Sequence, residues 1–320
     1  MIRSLISLTL CAVPVALVVP IQPVSAADLV EADFKTNLVP RPVPYAVLLP
    51  DGYKDGAPLP LLLYLHGGGG SRMALTNLRR LFEEEWKSGR VPPMVVATPS
   101  VTPRCFYMDY KDGSEKWETL IVGPFREYLQ KTYHASSDPK KNFMMGPSMG
   151  GEGTLRMGLK YPEKFGAIAA QEPGIEPILH WKDMLPRHRF WRDDDLFETA
   201  FGKPVDPAYW EANNPSSIAK ANTKRILDSG LHIYLDVGDQ DMFLLYEGTE
   251  FIHRILWDGG VMHEYHIVHG ADHVGRTLAP RTVEALGFFA RVLNPPPPDP
   301  AVENYRKTVI EPGKKKYGIK

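Results

Sequence analysis

The sequence predicts an α/β protein with one doubly wound, mostly parallel sheet and helices on both of its faces. Two observations predict it. Short apolar runs typical of strands alternate with segments of helical periodicity, and several of these runs are almost unbroken. Strands buried on both faces have this unbroken pattern, because helices cover both sides of a parallel sheet. The 320 residues allow one large domain of this kind or two smaller ones.

The first 26 residues have the pattern of a secretory signal peptide. Arg3 precedes an apolar run over residues 5–19, and small residues occupy both recognition positions before a cleavage point after Ala26. A membrane anchor is the alternative, but the stretch is short and interrupted by Pro14 and Pro20. The sequence therefore predicts a secreted or periplasmic protein.

Strands are predicted where apolar residues run between turn-forming residues, and helices where apolar residues recur at helical spacing. The predicted strands are Tyr45–Leu49, Leu59–Leu65, Met94–Thr98, Asn142–Met145, Ala167–Ala170, Leu231–Val237 and Glu264–Val268. The predicted helices are Met73–Ser88, Trp117–Thr132, Gly151–Lys160 and Thr282–Leu293. Alternation of this kind indicates βαβ units in a single domain over residues 27–294.

Two segments depart from the alternation. Residues 174–222 are rich in aromatic residues and proline, and they are predicted to form an insertion near the top of the sheet. The insertion is either a lid over a substrate site or a small packed subdomain. Residues 295–320 begin with a proline-rich stretch that is expected to be extended, followed by a basic, solvated tail.

Charge and cysteine content exclude several classes of protein. The net charge is −1, from 37 Lys and Arg against 38 Asp and Glu. The chain therefore lacks the excess of basic residues that a general nucleic-acid binder has. Removal of the signal peptide would leave Cys105 as the single cysteine. The mature chain would then form neither an internal disulfide nor a Cys-rich zinc site.

A nucleophile is predicted at Ser148. Residues 146–150 read Gly-Pro-Ser-Met-Gly, which fits Gly-x-Ser-x-Gly, and they lie between a predicted strand and a predicted helix. A sharp turn in this position strains the serine backbone and exposes the hydroxyl above the sheet edge. Neighbours on both sides must be small, which explains Gly146 and Gly150. The helix start adds positive potential near the reacting atoms.

The loop at residues 66–70 is predicted to donate to an oxyanion. It follows the most apolar strand and reads His-Gly-Gly-Gly-Gly. Glycines let backbone N–H groups approach a substrate oxygen, so we expect Gly67 or Gly68 to donate together with the N–H of Met149. A phosphate-binding loop is the competing interpretation, but the required Gly-Lys-[Ser/Thr] ending is absent. His66 is expected to shape the loop.

A serine nucleophile needs a carboxylate and a histidine, which follow it in that order in this type of fold. Asp239 and Asp241 both lie in the turn after the strand Leu231–Val237, and Asp241 is preferred for its distance past the strand end. Asp236 lies within the strand and is expected to be structural. Glu172, which follows an earlier strand, is a further candidate.

The base is sought among four histidines at 263, 266, 269 and 273. His273 is preferred and His269 comes second, because both belong to the loop after the strand Glu264–Val268 that can reach Ser148. A metal site is the alternative interpretation. The spacings of three, three and four residues do not fit His-Glu-x-x-His, and we predict neither a metal nor a cofactor.

At these residues the chain resembles the putative-esterase family of α/β-hydrolases. That family includes feruloyl and acetyl-xylan esterases, S-formylglutathione hydrolase (esterase D) and the mycolyltransferases. The matching segments are residues 64–71, 146–151, 238–241 and 270–273, and the resemblance covers about residues 40–293. It implies the α/β-hydrolase fold and a catalytic triad of Ser148, His273 and Asp241, the acid being the fourth residue of a Gly-x-x-Asp turn.

The resemblance implies a secreted serine esterase without metal or cofactor. The expected partner is a small-molecule or carbohydrate-linked ester, with feruloyl esters among the candidates, and neither nucleic acid nor stable membrane insertion is expected. Trp181, Trp191 and Trp210 in the insertion suggest a partly apolar or sugar-bearing substrate. The alternatives are an acyltransferase with the same triad, a peptidase of the same fold, and a non-catalytic carbohydrate-binding or surface protein.

Overall fold

An eight-stranded sheet organises residues 27–319, which are the residues that this computed structural model describes. The strands are β1 (Asp28–Phe34), β2 (Val43–Leu49), β3 (Leu61–Tyr64), β4 (Val95–Pro99), β5 (Asn142–Pro147), β6 (Ala167–Gln171), β7 (His232–Gly238) and β8 (Glu264–Val268). Their order across the sheet is β1-β2-β4-β3-β5-β6-β7-β8. Strands β3 to β8 are parallel, whereas β2 runs antiparallel to both β1 and β4.

The α-helices of the described chain connect these strands and extend beyond them. They are α1 (Met73–Lys87), α2 (Trp117–Leu120), α3 (Arg126–Thr132), α4 (Met149–Lys160), α5 (Asp194–Phe201), α6 (Pro207–Asn213), α7 (Pro215–Ala221), α8 (Thr223–Ser229), α9 (Leu245–Asp258), α10 (Leu278–Leu293), α11 (Pro300–Tyr305) and α12 (Glu311–Lys316). None of the helices within residues 27–319 has both the length and the apolar character that a membrane span requires.

Two apolar cores lie on opposite faces of the sheet. One core contains side chains of α2 to α4, α7 and α9, and the other contains side chains of α1 and α10. Along β3, Leu61 and Leu63 enter the first core and Leu62 enters the second. Successive strand residues point to opposite faces, so a central strand covered on both sides is apolar at most of its positions. The fold class predicted from the unbroken apolar runs is therefore confirmed.

Several elements differ from the sequence-based prediction. Strand β1 was not predicted, because its sequence DLVEADF mixes acidic and apolar residues. It can do so because it is an edge strand, and its residues are exposed or only partly buried. Helix α10 begins at Leu278, four residues before the predicted start at Thr282. Pro280 does not prevent this earlier start, because it lies in the first turn of the helix, where proline is tolerated. The predicted helix Trp117–Thr132 is interrupted at Gly123, whose backbone is not helical and which precedes Pro124.

The region predicted as an insertion contains α5, α6 and α7. Phe197, Phe201 and Trp210 from this region are buried in the same core as the sheet residues. Beyond it, the tail is not extended throughout, because α11 begins at Pro300. Asp299 caps that helix by accepting a hydrogen bond of 2.8 Å from the Ala301 N–H. The domain boundaries drawn from the sequence remain predictions, and the predicted signal peptide lies outside the described residues.

The turn between β5 and α4 packs directly against the end of β3. A β-carbon added to Gly146 or Gly150 would overlap the carbonyl oxygen of Leu65, which follows β3. Both clashes would be with backbone, so a side-chain rearrangement could not relieve them. The two glycines flank Ser148, and their absent side chains allow the turn to approach β3 this closely.

We expect Gly150→Ala to lower the free energy of unfolding by about 3 kcal/mol or more, because the added methyl group would displace backbone in a packed core. Urea denaturation of the purified protein measures this change. Gly287→Ala in α10 is the matched control. There the nearest heavy atom to the added carbon is Arg291 Nη1 at 3.5 Å, and alanine in a helix should be neutral or stabilising by about 1 kcal/mol. Equal stability of Gly150→Ala and wild type would contradict the close approach.

Candidate active site

Ser148 lies at the point where β5 ends and α4 begins. Its backbone has φ 55° and ψ −118°, which a residue with a side chain rarely adopts. Its N–H donates to the Gln171 carbonyl oxygen at 2.9 Å, and its own carbonyl accepts from the N–H groups of Glu152 and Gly174. These bonds and the close packing at Gly146 and Gly150 hold the strained turn in place.

Ser148, His273 and Asp241 form one hydrogen-bonded row. The Ser148 Oγ lies 3.0 Å from His273 Nε2, and His273 Nδ1 lies 2.9 Å from Asp241 Oδ2. Asp241 is 2% exposed and His273 is 8% exposed. The other carboxylate oxygen of Asp241 accepts from the Phe243 N–H at 2.9 Å. The arrangement leaves Nε2 free to take a proton from the serine while the carboxylate holds Nδ1–H.

Asp239, the alternative acid, lies outside this row. Its Oδ2 lies 2.7 Å from His269 Nδ1, and its Oδ1 accepts from the Gly270 N–H at 2.7 Å. These hydrogen bonds, the one from His269 first, lower the pKa of Asp239 below its ordinary value. The His269 side chain is almost fully exposed. This pair joins the loops after β7 and β8, and it does not contact Ser148.

An aspartate in the loop after β8, Asp272, was missed by the sequence interpretation. Asp272 Oδ1 accepts from the Met242 N–H at 2.9 Å and from the His273 N–H at 2.7 Å. It therefore joins the residue after Asp241 to the backbone of His273 and fixes the separation of the two loops. Its position directly before His273 in the sequence was the available signal.

Glu172 and Asp236 belong to a buried charge cluster behind the serine. Arg281 of α10 pairs with both carboxylates, and its Nε donates to Asp236 Oδ1 at 2.9 Å. Burial raises the pKa of Glu172 to about 7, although Arg281 opposes the shift. The pKa of Asp236 is raised by burial as well. Glu172 also borders the cavity at Ser148, with an unusual φ of 34°.

The remaining histidines lie away from the serine or are inaccessible. His66 is 1% exposed, and its Nε2 accepts from the Val101 N–H at 3.3 Å. Burial lowers the pKa of His66, which favours the neutral ring that this acceptor role requires. His263 pairs with His253 at 2.8 Å, and His266 stacks on the Tyr234 ring. Within residues 27–319, no group of three or more His, Cys, Asp or Glu side chains is placed to hold a metal ion.

Gly67, Gly68 and Met149 all border the cavity that contains Ser148. A β-carbon on Gly67 would lie 3.8 Å from Ser148 Cβ, so the glycine loop runs directly beside the serine. The loop is held from behind by Tyr107, whose hydroxyl donates to the His66 carbonyl oxygen at 2.9 Å. Met149 is the first residue of α4, and N–H groups in a first helical turn have no acceptor within the helix. The arrangement places potential donors beside Ser148 Oγ.

The cavity beside Ser148 has a volume of about 400 Å³ and a mostly apolar lining. Its apolar side chains are Phe106, Met149, Trp191, Leu196, Phe243, Leu245, Val274 and Leu278. Only one of the three insertion tryptophans singled out in the sequence, Trp191, borders the cavity. Trp210 is buried in the core, and Trp181 packs against it with ring centroids 5.7 Å apart. Those two tryptophans are therefore structural.

Comparison with known proteins identifies similar sequences and folds. A family model described as "Putative esterase" matches residues 36–255. An esterase of Mycobacterium tuberculosis (strain H37Rv) is 26% identical over 246 residues, which cover 72% of this chain and 52% of that protein. The chain spans about half the length of the curated relatives it matches.

Two solved structures illustrate the likeness of fold. A ferulic acid esterase has a TM-score of 0.68 at 20% identity, with 83% of this chain and 98% of that chain covered. An S-formylglutathione hydrolase from Agrobacterium tumefaciens has a TM-score of 0.68 at 18% identity, with 84% and 96% covered. At these identities the comparison establishes the α/β-hydrolase fold.

Glu172→Gln should remove a pH-dependent part of the stability. Burial raises the pKa of Glu172 from 4.5 to about 7 in the folded protein. Its contribution to stability is therefore largest below pH 4.5, where the carboxyl group is protonated in both the folded and the unfolded protein. That contribution is lost as the pH rises through 7. We expect the stability of wild type relative to Glu172→Gln to fall by about 1 kcal/mol per pH unit across this window.

Urea denaturation of both proteins between pH 4.5 and 7.5 measures the difference. Glu163→Gln is the control, because Glu163 is half exposed and pairs with Arg225 at the surface. Its stability relative to wild type should stay nearly constant over the same range. A relative stability of wild type that rises with pH would show that Arg281 outweighs the burial of Glu172.

Proposed function

The chain belongs to the putative-esterase family, and we propose that it is a serine esterase that hydrolyses carboxylic esters through an acyl-enzyme on Ser148. Membership confirms the resemblance inferred from the sequence motifs. The observation that carries the proposal is the hydrogen-bonded row from Ser148 to His273 to Asp241, which opens into an apolar cavity.

The reaction begins when Ser148 Oγ attacks the ester carbonyl carbon and His273 Nε2 accepts the hydroxyl proton. The tetrahedral intermediate then collapses, the bond to the alcohol oxygen breaks, and protonated His273 gives its proton to that oxygen. The acyl group remains on Ser148. Water then attacks the carbonyl carbon of the acyl-enzyme, and His273 accepts a proton from the water. When the bond to Ser148 Oγ breaks, His273 returns that proton to the serine oxygen and the acid product leaves. Asp241 stabilises the positive imidazole throughout and fixes its tautomer.

Negative charge on the former carbonyl oxygen must be stabilised in both steps. Backbone N–H groups of Gly67 or Gly68 and of Met149 would donate to this oxygen. The N-terminus of α4 adds favourable potential at the same place. Such donors would act more strongly beside a mostly apolar cavity wall than in bulk water, because the local dielectric constant is lower there.

The volume of the cavity, about 400 Å³, supports a substrate whose acyl group is larger than acetyl. Trp191, Phe243 and Phe106 give it aromatic walls, which suit an aromatic or extended apolar acyl chain. Carbohydrate-linked acyl or feruloyl esters are therefore the candidates we propose for the natural substrate. Secretion or export to the periplasm is proposed from the N-terminal sequence alone.

Ser148→Ala should abolish turnover of p-nitrophenyl acetate, because no other atom can form the acyl-enzyme. We expect kcat to fall by at least about 10³-fold. A fluorophosphonate probe should modify wild type once per chain, as measured by intact mass, and leave Ser148→Ala unmodified. Ser137→Ala, at an exposed position, is the control and should behave as wild type. Full activity of Ser148→Ala would exclude Ser148 as the nucleophile.

Asp241→Asn and Asp239→Asn should separate the two candidate acids. An amide at 241 would favour the wrong His273 tautomer, so kcat should fall by about 10³-fold or more. The Asp239 variant loses only the contacts to His269 and Gly270, and its kcat should stay within about tenfold of wild type. The reverse order of effects would assign the acid to Asp239.

A further inference from the structure

Arg192 is a buried cation that connects the insertion to the helix after the nucleophile. Its side chain is 2% exposed. One guanidinium nitrogen donates to the Gly174 carbonyl oxygen and lies 3.0 Å from Glu176 Oε1. Another lies 3.5 Å from Glu152 Oε2, in the first turn of α4. A buried guanidinium needs anionic and carbonyl partners of this kind, and here all of them lie in segments that follow β5 and β6.

The same guanidinium also packs against aromatic rings. Its Cζ lies 3.9 Å from the ring centroid of Trp191 and 5.0 Å from that of Phe106. A third ring, that of Phe197, lies 5.6 Å away. A planar cation in contact with a ring face restricts the orientation of that ring. Arg192 therefore restrains the Trp191 indole, and the Arg192 side chain itself also borders the cavity.

A row of aromatic contacts continues from Trp191 to the proposed base. The Trp191 and Phe243 rings have centroids 5.8 Å apart and meet edge to face at 64°. Phe243 in turn meets the His273 ring at 4.6 Å and 80°. Trp191 and Phe243 both border the cavity with Ser148. The insertion thus supplies one wall of the site, and both Trp191 and Arg192 belong to that wall.

We propose that Arg192 is a positioning residue that sets the acyl selectivity of this site by holding Trp191 against Phe243. The inference rests on the proposed esterase function, because it assigns the cavity to the acyl part of the ester. The row predicts that loss of Arg192 frees the indole and weakens binding of bulky acyl groups. The triad itself should remain, since Phe243 is held separately by its N–H bond to Asp241.

Removal of Arg192 alone would leave Glu176 buried without its partner. Burial already raises the pKa of Glu176 to about 7 despite Arg192. The test variant is therefore Arg192→Met combined with Glu176→Gln, which removes a cation and an anion together. Glu152 keeps its pairing with Arg156 in this variant. Arg192→Lys is the second variant, because lysine keeps the charge but cannot contact Gly174, Glu176 and Glu152 with one planar group.

The measurement is the ratio of kcat/KM for p-nitrophenyl 3-phenylpropanoate to that for p-nitrophenyl acetate. The two esters share their alcohol, so the ratio reports the acyl group alone. We expect the double variant to lower the ratio by about tenfold or more, through a higher KM for the phenylpropanoate. Its kcat for the acetate should stay within about threefold of wild type. Arg192→Lys should give an intermediate ratio.

Arg225→Met is the matched control, since Arg225 forms a half-exposed pair with Glu163 away from the cavity, and its ratio should equal that of wild type. An unchanged ratio in the double variant, or an equal loss for both esters, would overturn the inference. Circular dichroism of each variant establishes that it is folded. Failure of the proposed function is distinguishable, because the wild type would then hydrolyse neither ester or Ser148→Ala would remain active.

Discussion

The close approach between the turn at Ser148 and the end of β3 is the constraint on which the site depends. The Leu65 carbonyl oxygen occupies the space where β-carbons of Gly146 and Gly150 would lie. Because the turn fits there, Ser148 takes its strained conformation and the glycine loop after Leu65 runs beside it. Ser148, the proposed nucleophile, and the glycine loop with the proposed oxyanion donors are thus brought together by one backbone contact between adjacent strands, before any side-chain hydrogen bond is considered. The strain at Ser148 is supported by packing that a flexible loop could not provide.

Buried charges hold the surroundings of this contact. Behind the serine, Arg281 bridges Glu172, which follows β6, and Asp236, which lies within the adjacent strand β7, and so ties α10 to both strands. Such pairs add little to stability compared with apolar packing, but removal of one partner costs about 3–5 kcal/mol, because a charge is then left buried. A buried ion pair is stable only in a narrow range of distances and orientations, so these pairs fix the position of α10 relative to β6 and β7. The raised pKa of Glu172 shows that burial is only partly offset by Arg281.

The sequence was sufficient to predict the parts of the molecule that obey local rules. Unbroken apolar runs identified the central strands, since both faces of those strands are covered, and the Gly-x-Ser-x-Gly pattern located the turn at Ser148. The sequence was insufficient for features that depend on contacts between residues far apart in the chain. Edge strand β1 has a mixed pattern because half of it faces solvent. The choice between Trp181, Trp191 and Trp210 depended on which ring meets Phe243, and no spacing in the sequence encodes that contact.

The proposed catalysis and the proposed acyl selectivity depend on different parts of this fold. The proposed triad residues follow strands β5, β7 and β8, and the insertion contributes side chains to one of the two cores that cover the sheet. Trp191 comes from the insertion and contacts Phe243, whose ring in turn contacts His273. The Phe243 N–H donates a hydrogen bond to Asp241, while the Phe243 ring packs between Trp191 and His273. We therefore expect substitutions in the insertion to reshape the cavity while the hydrogen bonds among Ser148, His273 and Asp241 stay in place, so that the proposed mechanism would serve different acyl groups.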